Sequence, residues 1–247
     1  MKALFAKFLD FQGVMSEARV TAVKKYTCCW PAEVPIVRAE FIKATAAFGG
    51  IKIGYPTSYV HWEDNYKEEF INKFPHSKIP AWEGKDGFRL FESAPIARYT
   101  AGLAPEAGLL GTNGKEAALV DQWVHLIEEV NDFTENIDEV LDGTLPYSKS
   151  LHSTFVAGQL RGFNTINGHL ATRTFLVGER ITLTDIYVAS LFLRAYGIDI
   201  ATVERAKLPH LMRHMETVIN QPVFEGIFPP IPTLEKAKAY VAPKKGT

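Results

Sequence analysis

The chain has 247 residues, of which 47% are hydrophobic and 22% charged, and its formal net charge is −1 at pH 7. This composition is ordinary for a globular protein and leaves room for one large domain or two smaller ones. A charge so near zero gives no electrostatic reason to expect a nucleic acid or a membrane surface as partner, and no apolar run approaches the length of a membrane span.

The two cysteines, Cys28 and Cys29, are adjacent in the chain. They cannot form a disulfide framework, which favours a reducing compartment. The first residues are amphipathic but include Asp10 and Glu17, whereas transit peptides are poor in acids and secretory signals have a longer apolar core. We therefore expect a cytoplasmic protein in which residues 1–19 are an extension before the first domain.

The first half of the chain alternates predicted strands and helices. A strand is predicted within residues 20–30, a helix within 35–50, a second strand within 51–60 and a short helix over 66–74. Proline and glycine residues separate these elements, as expected for element boundaries.

The stretch from Lys78 to Tyr99 reads KIPAWEGKDGFRLFESAPIARY. Two short apolar runs flank an Asp-Gly pair, a pattern that predicts a β-hairpin because glycine accepts the positive φ of a tight turn. A helix is predicted directly afterwards, with Ser93 as its N-cap and Pro95 in its first turn.

Three features of this stretch together suit a small zwitterionic peptide. An Ile79-Pro80 bond in the cis form would turn the main chain of Ile79 outward, where an extended peptide could pair with it. Ser93, at a helix start with free N–H groups and a positive dipole end, suits a carboxylate. Glu92 offers a negative charge for an ammonium group.

The second half of the chain is predicted to be helical. Residues 101–114 are rich in Gly, Pro and Ala and mark a boundary. A second, less regular helix is predicted over 151–170, Thr182 and Asp185 form a capping-box pattern, and the basic tail from Leu234 looks helix-like. One face of the first long helix is apolar at three- and four-residue steps, with the positions Val120, Trp123, Val124, Ile127, Val130, Phe133 or Thr134, Ile137 and Leu141.

The segments KIPAW and LFESAPIARY resemble the glutathione-binding core of the glutathione transferase superfamily. Within it, the chain is most similar to the transferase-like domain of elongation factor one gamma. LPHLMRHMETVINQPVF from Leu208 and the triplet from Gln122 to Val124 carry that second resemblance. The resemblance covers about residues 20–226.

The resemblance implies an α/β plus all-α protein: a thioredoxin-like N-terminal domain of order βαβαββα, followed by a helical-bundle domain. We place these domains at residues 20–103 and 114–247, with a linker at 104–113. The resemblance also implies a homodimer, with glutathione as co-substrate and a small hydrophobic electrophile as second substrate.

The residue that stabilises the glutathione thiolate normally follows the first strand of this family. Here that loop includes Cys28, Cys29 and Glu33, and the usual Tyr or Ser is not plainly present. Cys29 is the catalytic candidate, because a cysteine near a helix start can have a lowered pKa and form a mixed disulfide. The alternative is that both cysteines are small buried hydrophobic residues.

The resemblance assigns the remaining glutathione contacts to Ile79, Pro80, Glu92 and Ser93, and the glycyl carboxylate to Lys78 or His61. The cysteine and histidine spacings do not favour a metal site. Three functions therefore stay open: a glutathione transferase, a largely non-catalytic scaffold like the elongation-factor domain, and a thiol transferase that uses Cys29.

Overall fold

The computed structural model describes residues 26–28, 37–56, 58–84, 86–230 and 234–240. The chain divides into two compact units, the first made of Ile51–Glu92 with the segment up to Val34, and the second of Pro35–Gly50 and Ser93–Thr247. The domain boundary expected at residues 104–113 stays a prediction. No helix among the described residues is long and apolar enough to cross a membrane.

The first unit contains a four-stranded sheet. Its strands are β1 (Tyr26–Cys28), β2 (Ile53–Gly54), β3 (Ala81–Glu83) and β4 (Arg89–Phe91), in the spatial order β2-β1-β3-β4. Strand β1 is parallel to β2 and antiparallel to β3, and β3 is antiparallel to β4. One short helix, α2 (Glu68–Ile71), lies between β2 and β3.

The predicted hairpin is confirmed, with Ala81 paired to Phe91 across β3 and β4. Gly87 has φ +81°, which glycine adopts without a steric cost. Strand β2 has only two residues, whereas the sequence predicts a strand over 51–60 that is interrupted at Pro56. Pro56 falls within that run and lacks the N–H that a sheet ladder needs.

The described helices of the second unit follow the predicted order. They are α1 (Val37–Phe48), α3 (Ser93–Gly102), α4 (Gly114–Asp142), α5 (Lys149–His169), α6 (Leu183–Tyr196), α7 (Thr202–Arg205) and α8 (Pro209–Ile219).

Helix α4 buries the apolar face that its sequence predicts. The sequence left Phe133 and Thr134 as alternatives for one position of this face. Thr134 is the buried residue, and its hydroxyl donates to the Val130 carbonyl at 2.8 Å. The helix begins at a cap in which the Asn113 side chain accepts from the N–H groups of Lys115 and Glu116, and this satisfies donors that have no partner inside the helix.

Helix α6 lies at the centre of this unit, and nearly all of its residues are buried. Its predicted capping box is confirmed, because the Asp185 carboxylate accepts from the Thr182 N–H at 2.8 Å. The same fully buried carboxylate contacts His214 Nε2 of α8 at 2.8 Å and accepts from the Leu176 N–H at 2.8 Å. One acid therefore joins the start of α6, a loop and α8.

Helices α4 and α5 approach closely where α5 has glycine. A Cβ on Gly162 would lie 2.1 Å from Val130 Cγ2, and one on Gly158 would lie 2.6 Å from the Phe133 ring. Glycine is needed at Gly162, because a side chain there would meet the stiff, buried Val130 and push the two helices apart, whereas at Gly158 the partly buried Phe133 ring could move aside.

The expectation of a helix-like tail is wrong for residues 234–240, which have no helical turn. The Lys238 N–H donates instead to the Ile198 carbonyl at 2.8 Å. A main-chain bond to a distant part of the chain replaces the local bond that a helix would use.

We expect the stability of the protein to fall as the pH rises from about 4 to about 6 because of Asp199. This carboxyl is 8% exposed, and burial, followed by the charges of Glu204 and Asp138, raises its pKa to about 6 although Gln159 donates to it. In that pH range the folded state binds a proton that the unfolded state does not, so the free energy of unfolding decreases by about 2–3 kcal/mol.

Urea unfolding across this pH range, for the native chain and for Asp199→Asn, measures the effect. The variant should lose this part of the pH dependence, whereas Asp142→Asn, an exposed acid at the end of α4, should not. Parallel stability curves for the native chain and Asp199→Asn would contradict the prediction.

Candidate functional site

The first candidate residues lie where the chain enters strand β3. The Ile79–Pro80 peptide bond is cis, as the sequence analysis anticipated. Lys78 is exposed, Ile79 is partly buried and Pro80 is buried. The proline therefore anchors the segment, and the lysine immediately before it remains open to solvent.

Glu92 directly follows the second strand of the hairpin, β4, and has an unusual backbone conformation. Its φ is +69°, a region that non-glycine residues rarely occupy. Its carboxylate is about half exposed and lies 3.9 Å from His76 Nε2. The acid expected to bind an ammonium group is thus accessible.

Backbone strain is concentrated at the candidate residues. Among the described residues other than glycine, positive φ is found at Trp62 (69°), Ser77 (53°) and Glu92 (69°). Trp62 follows His61 and Ser77 precedes Lys78, so each strained residue is a candidate or its neighbour. Such conformations cost about 1–3 kcal/mol each and are concentrated at binding sites.

Asn65 holds two of these strained positions together. Its fully buried side chain accepts from the Trp62 N–H at 2.8 Å and donates to the Ser77 carbonyl at 2.8 Å. The loop carrying His61 is thereby fixed to the turn that precedes Lys78. Sequence reasoning missed Asn65, because one asparagine in a polar loop gives no sign of which distant carbonyl it will bind.

His61 and Lys78 differ in their suitability as carboxylate anchors. His61 Nδ1 lies 3.3 Å from the Tyr59 hydroxyl, its ring is 4.3 Å from that of Trp62, and burial lowers its pKa. The lowered pKa leaves the imidazole mostly uncharged near neutral pH. Lys78 is exposed and has no ion pair to any residue that the structure describes, so it is the better cation for a ligand.

Ser93 is the first residue of α3 and is fully buried. Its hydroxyl donates to Glu128 Oε1 at 3.3 Å and accepts from Arg38 Nη1 at 3.5 Å. The sequence predicted that this hydroxyl would cap its own helix. It bonds instead to Glu128 of α4 and Arg38 of α1, which fixes the helix start from outside.

Arg38 is the centre of an ion-pair network that the sequence did not reveal. Its guanidinium contacts Glu128 at 2.7 Å, Asp132 at 2.8 Å and Glu135 at 3.2 Å. Burial alone would lower the pKa of Arg38, but the neighbouring carboxylates of Glu135 and Glu128 outweigh it, so the pKa is held well above its usual value. These charge-assisted bonds fix α1 to α4.

Tyr187 of α6 lies close to Arg38 and Glu128 of this network. Its ring stacks on Phe41 at 4.1 Å between centroids and is fully buried. Burial, followed by the negative charge of Glu128, raises the pKa of the Tyr187 hydroxyl well above its ordinary value. The hydroxyl is therefore protonated throughout the physiological range.

The catalytic candidate Cys29 lies outside the described residues, and so does the side chain of Cys28. No three His, Cys, Asp or Glu side chains come together as a metal site in the described part of the chain. His214, which shares a face of α8 with His210, is buried against Asp185.

The fold defines the class of protein. A small mixed sheet with a cis-proline before an antiparallel hairpin, followed by a helix and an all-helical region, is the fold of glutathione transferases. Residues 144–222 match the glutathione S-transferase C-terminal domain. The chain is 31% identical to the glutathione S-transferase-like protein FUS3 of Gibberella fujikuroi over 202 residues, covering 79% of this chain and 93% of that protein. The chain belongs to the glutathione transferase superfamily.

A second group of relatives is equally similar. Elongation factor 1-gamma of Sus scrofa is 32% identical over 217 residues, which is 87% of this chain and 48% of that protein. The chain therefore spans about half the length of these curated relatives.

Solved structures agree on the fold. The GST-like domain of elongation factor 1-gamma from Saccharomyces cerevisiae has a TM-score of 0.73 at 22% identity, covering 88% of this chain and 99% of that one. A glutathione S-transferase from Methylobacillus flagellatus with glutathione bound has a TM-score of 0.67 at 23% identity, covering 83% and 98%. These likenesses confirm the expected fold class.

Proposed function

We propose that this protein binds glutathione and transfers it to small hydrophobic electrophiles. The observation that carries the proposal is the exposed acid Glu92, held at φ +69° immediately before the fixed helix start at Ser93. A γ-glutamyl residue carries an ammonium group and a carboxylate. The accessible, strained Glu92 suits the ammonium group, and the helix N-terminus beside it suits the carboxylate. Membership of the superfamily supports the same ligand.

The proposed contacts follow from the chemistry of each residue. Glu92 would bind the γ-glutamyl ammonium group, and the N–H groups at the start of α3 would bind its carboxylate. The main chain of Ile79, before buried Pro80, would pair with the cysteinyl residue. Lys78 would bind the glycyl carboxylate, with His61 as an uncharged neighbour.

The hydroxyl of Ser93 takes a modified role in this proposal. Because it already bonds to Glu128 at 3.3 Å, it would orient the first turn of α3. The main-chain N–H of Ala94, which is only partly buried, would become the principal carboxylate donor. We expect the residue that stabilises the thiolate to lie in the loop around Cys29. The assignment of this role to Cys29 stays a prediction from the sequence.

The proposed reaction is a displacement at the electrophile. The glutathione thiolate forms a carbon–sulfur bond, the leaving group departs with its bonding electrons, and the thiol proton goes to solvent. An ordinary thiol is mostly protonated near neutral pH, so the protein would have to favour the anion.

Binding measurements with the full chain test the glutathione site. In isothermal titration calorimetry we expect Glu92→Gln to weaken glutathione binding about tenfold, because the negative charge that strengthens the hydrogen bond to the ammonium group is lost. Ser93→Ala should also weaken it by disturbing the helix start. Glu69→Gln, an exposed acid on α2, should leave binding unchanged.

Glu92→Gln is the decisive variant because its side chain is exposed and the fold does not depend on it. If this variant binds glutathione as tightly as the native chain, the proposed site is wrong. A separate assay tests the transfer of glutathione. It uses 1-chloro-2,4-dinitrobenzene as the electrophile and follows formation of the conjugate by absorbance.

A scaffold role is the second candidate function, favoured by the match to elongation factor 1-gamma over 87% of this chain. Glutathione binding without measurable conjugation would favour it, and a pull-down against nucleotide-exchange subunits would then test the assembly. Both candidate functions include the proposal that the protein is a cytoplasmic homodimer. Sedimentation velocity of the full chain measures its association state.

A further inference from the structure

A cavity of about 390 Å³ lies between α4, the end of α5 and the loop that leads to α6. All of its lining residues belong to the second compact unit. The lining includes the apolar side chains of Trp123, Leu176 and Val177, which are 5%, 3% and 1% exposed, and of Leu119, which is exposed. The cavity therefore has a buried apolar floor and an apolar side chain at its edge.

The loop on one side of the cavity is held by bonds to two helices. The Leu176 N–H donates to Asp185 at 2.8 Å, and the Leu176 carbonyl lies 2.9 Å from His169 Nε2. Gly178, also in the lining, has φ +66°, a conformation that glycine adopts without a steric cost. A ligand would meet walls that are already in place, and such preorganisation lowers the entropic cost of binding.

His169 contributes a hydrogen-bond acceptor to the wall of this cavity. A carbonyl can only accept, so the bond to Leu176 requires that Nε2 of His169 carry a hydrogen. In the neutral ring Nδ1 is then an acceptor, and it has no partner among the residues that the structure describes. The ring lies 4.6 Å from that of Trp123, so this acceptor belongs to the aromatic part of the lining.

Two opposite charges, Arg173 and Glu179, also line the cavity. Arg173 Nη1 donates to the His169 carbonyl at 3.3 Å and to Thr172 Oγ1 at 3.4 Å, but its Nε and Nη2 groups have no partner in the part of the chain described. Glu179 is exposed and forms no ion pair or hydrogen bond within the same described part. A guanidinium with free donors suits a carboxylate, and a free carboxylate suits an ammonium group.

The volume of the cavity limits the size of its ligand. Small-molecule sites enclose about 300–1,000 Å³, and this cavity lies near the lower end of that range. It suits one small molecule rather than a peptide of several residues. The lining calls for three features in that molecule: a carboxylate, an ammonium group and an apolar body.

We propose that this cavity is a binding site for a free amino acid with a large apolar side chain. The carboxylate of the ligand bonds to Arg173, and its ammonium group bonds to Glu179 and His169 Nδ1. The side chain of the ligand packs on Trp123 and Leu176. The site is separate from the proposed glutathione site, because none of the residues assigned to glutathione lines the cavity.

The first test compares ligands that lack one feature each. Saturation-transfer-difference NMR titrations of the full chain measure the affinity of L-phenylalanine, of 3-phenylpropionate, which lacks the ammonium group, and of phenethylamine, which lacks the carboxylate. We expect L-phenylalanine to bind about tenfold more tightly than either analogue, because each analogue loses charge-assisted bonds. L-Serine should bind at least tenfold more weakly, because it lacks the apolar body.

The second test assigns each charge of the ligand to one residue. Arg173→Met should weaken L-phenylalanine binding about tenfold and leave phenethylamine binding unchanged, because only the carboxylate loses its donors. Glu179→Gln should weaken L-phenylalanine binding about threefold and leave 3-phenylpropionate binding unchanged, because only the ammonium group loses its counter-charge. The matched controls Arg161→Met and Glu225→Gln, at exposed positions of the same unit, should bind L-phenylalanine like the native chain.

Glu92→Gln separates this site from the proposed glutathione site, which also suits a zwitterion. Loss of L-phenylalanine binding in Glu92→Gln, with normal binding in Arg173→Met, would place the amino acid at the wrong site and overturn the proposal. L-Phenylalanine that does not bind, or binds no more tightly than its two analogues, would overturn it as well. Arg173 and Glu179 are both exposed, so their variants are expected to fold, and circular dichroism verifies this.

Discussion

Replacing Asp185 by alanine is expected to lower the free energy of unfolding by about 3–5 kcal/mol, because several buried hydrogen-bond donors share this one acceptor. The carboxylate is fully buried and accepts from the N–H groups of Leu176 and Thr182 and from the Thr182 hydroxyl, at 2.8, 2.8 and 2.9 Å. It also contacts His214 at 2.8 Å.

Alanine at this position would leave several buried donors without an acceptor at once. Each buried polar group that loses its partner costs about 1–3 kcal/mol, and the start of α6 would lose its capping box. Because α6 is the central helix of the unit, we expect the damage to spread to α8 through His214.

Urea unfolding followed by circular dichroism measures this effect as a lower midpoint. Asp142→Asn is the control, since Asp142 is an exposed acid that accepts one bond, from the Thr144 N–H at 2.8 Å. Its expected change is below about 0.5 kcal/mol. A loss of less than about 1 kcal/mol for Asp185→Ala would show that the carboxylate does not connect these elements as described.

The second large effect is expected from Gly162→Ala, which should destabilise the protein by about 1–3 kcal/mol or more. The new methyl carbon would start 2.1 Å from Val130 Cγ2, and Gly162 and Val130 are both buried. Helices α4 and α5 would have to separate along a close-packed contact to accommodate it.

Gly168→Ala is a matched control on the same helix, because nothing lies within 4 Å of its added Cβ. Alanine is a better helix former than glycine by about 0.8–1.0 kcal/mol, so this variant should be stabilised. The two glycine-to-alanine changes are therefore expected to have opposite signs.

A double-mutant cycle identifies the cause of the Gly162→Ala effect. Shortening Val130 to alanine makes room for the new methyl group, so the double variant should be more stable than the sum of the single changes by about 1 kcal/mol or more. Simple additivity, measured from the same urea curves, would show that the clash with Val130 is not responsible.

The elements that could be predicted from the sequence are those set by local chemistry. The hairpin follows from an Asp-Gly turn, and the capping box from a threonine and an aspartate three residues apart. The buried face of α4 follows from the helical period, although only the structure chose Thr134 over Phe133.

The candidate site could be predicted only in part. The cis form of Ile79–Pro80 and the placement of Glu92 and Ser93 at a helix start agree with the sequence reasoning. Asn65 and Arg38 could not be found, because the Ser77 carbonyl that Asn65 binds and the acids that Arg38 binds lie 12 or more residues away in the chain. The sequence predicts that the Ser93 hydroxyl caps its own helix, whereas in the structure this hydroxyl donates to Glu128.

By itself, the sequence determined the order of the elements, the thioredoxin-like and helical composition and the stretch that carries the candidate site. Each of these depends on residues close together in the chain, where turn, cap and helix periodicity act directly. Only the tertiary structure decided which polar groups meet: the Arg38 network, the Asn65 link and the contact between Lys238 and Asp138. A side chain that has several possible distant partners bonds to the one that packing brings within about 3 Å, and a linear pattern does not contain that distance.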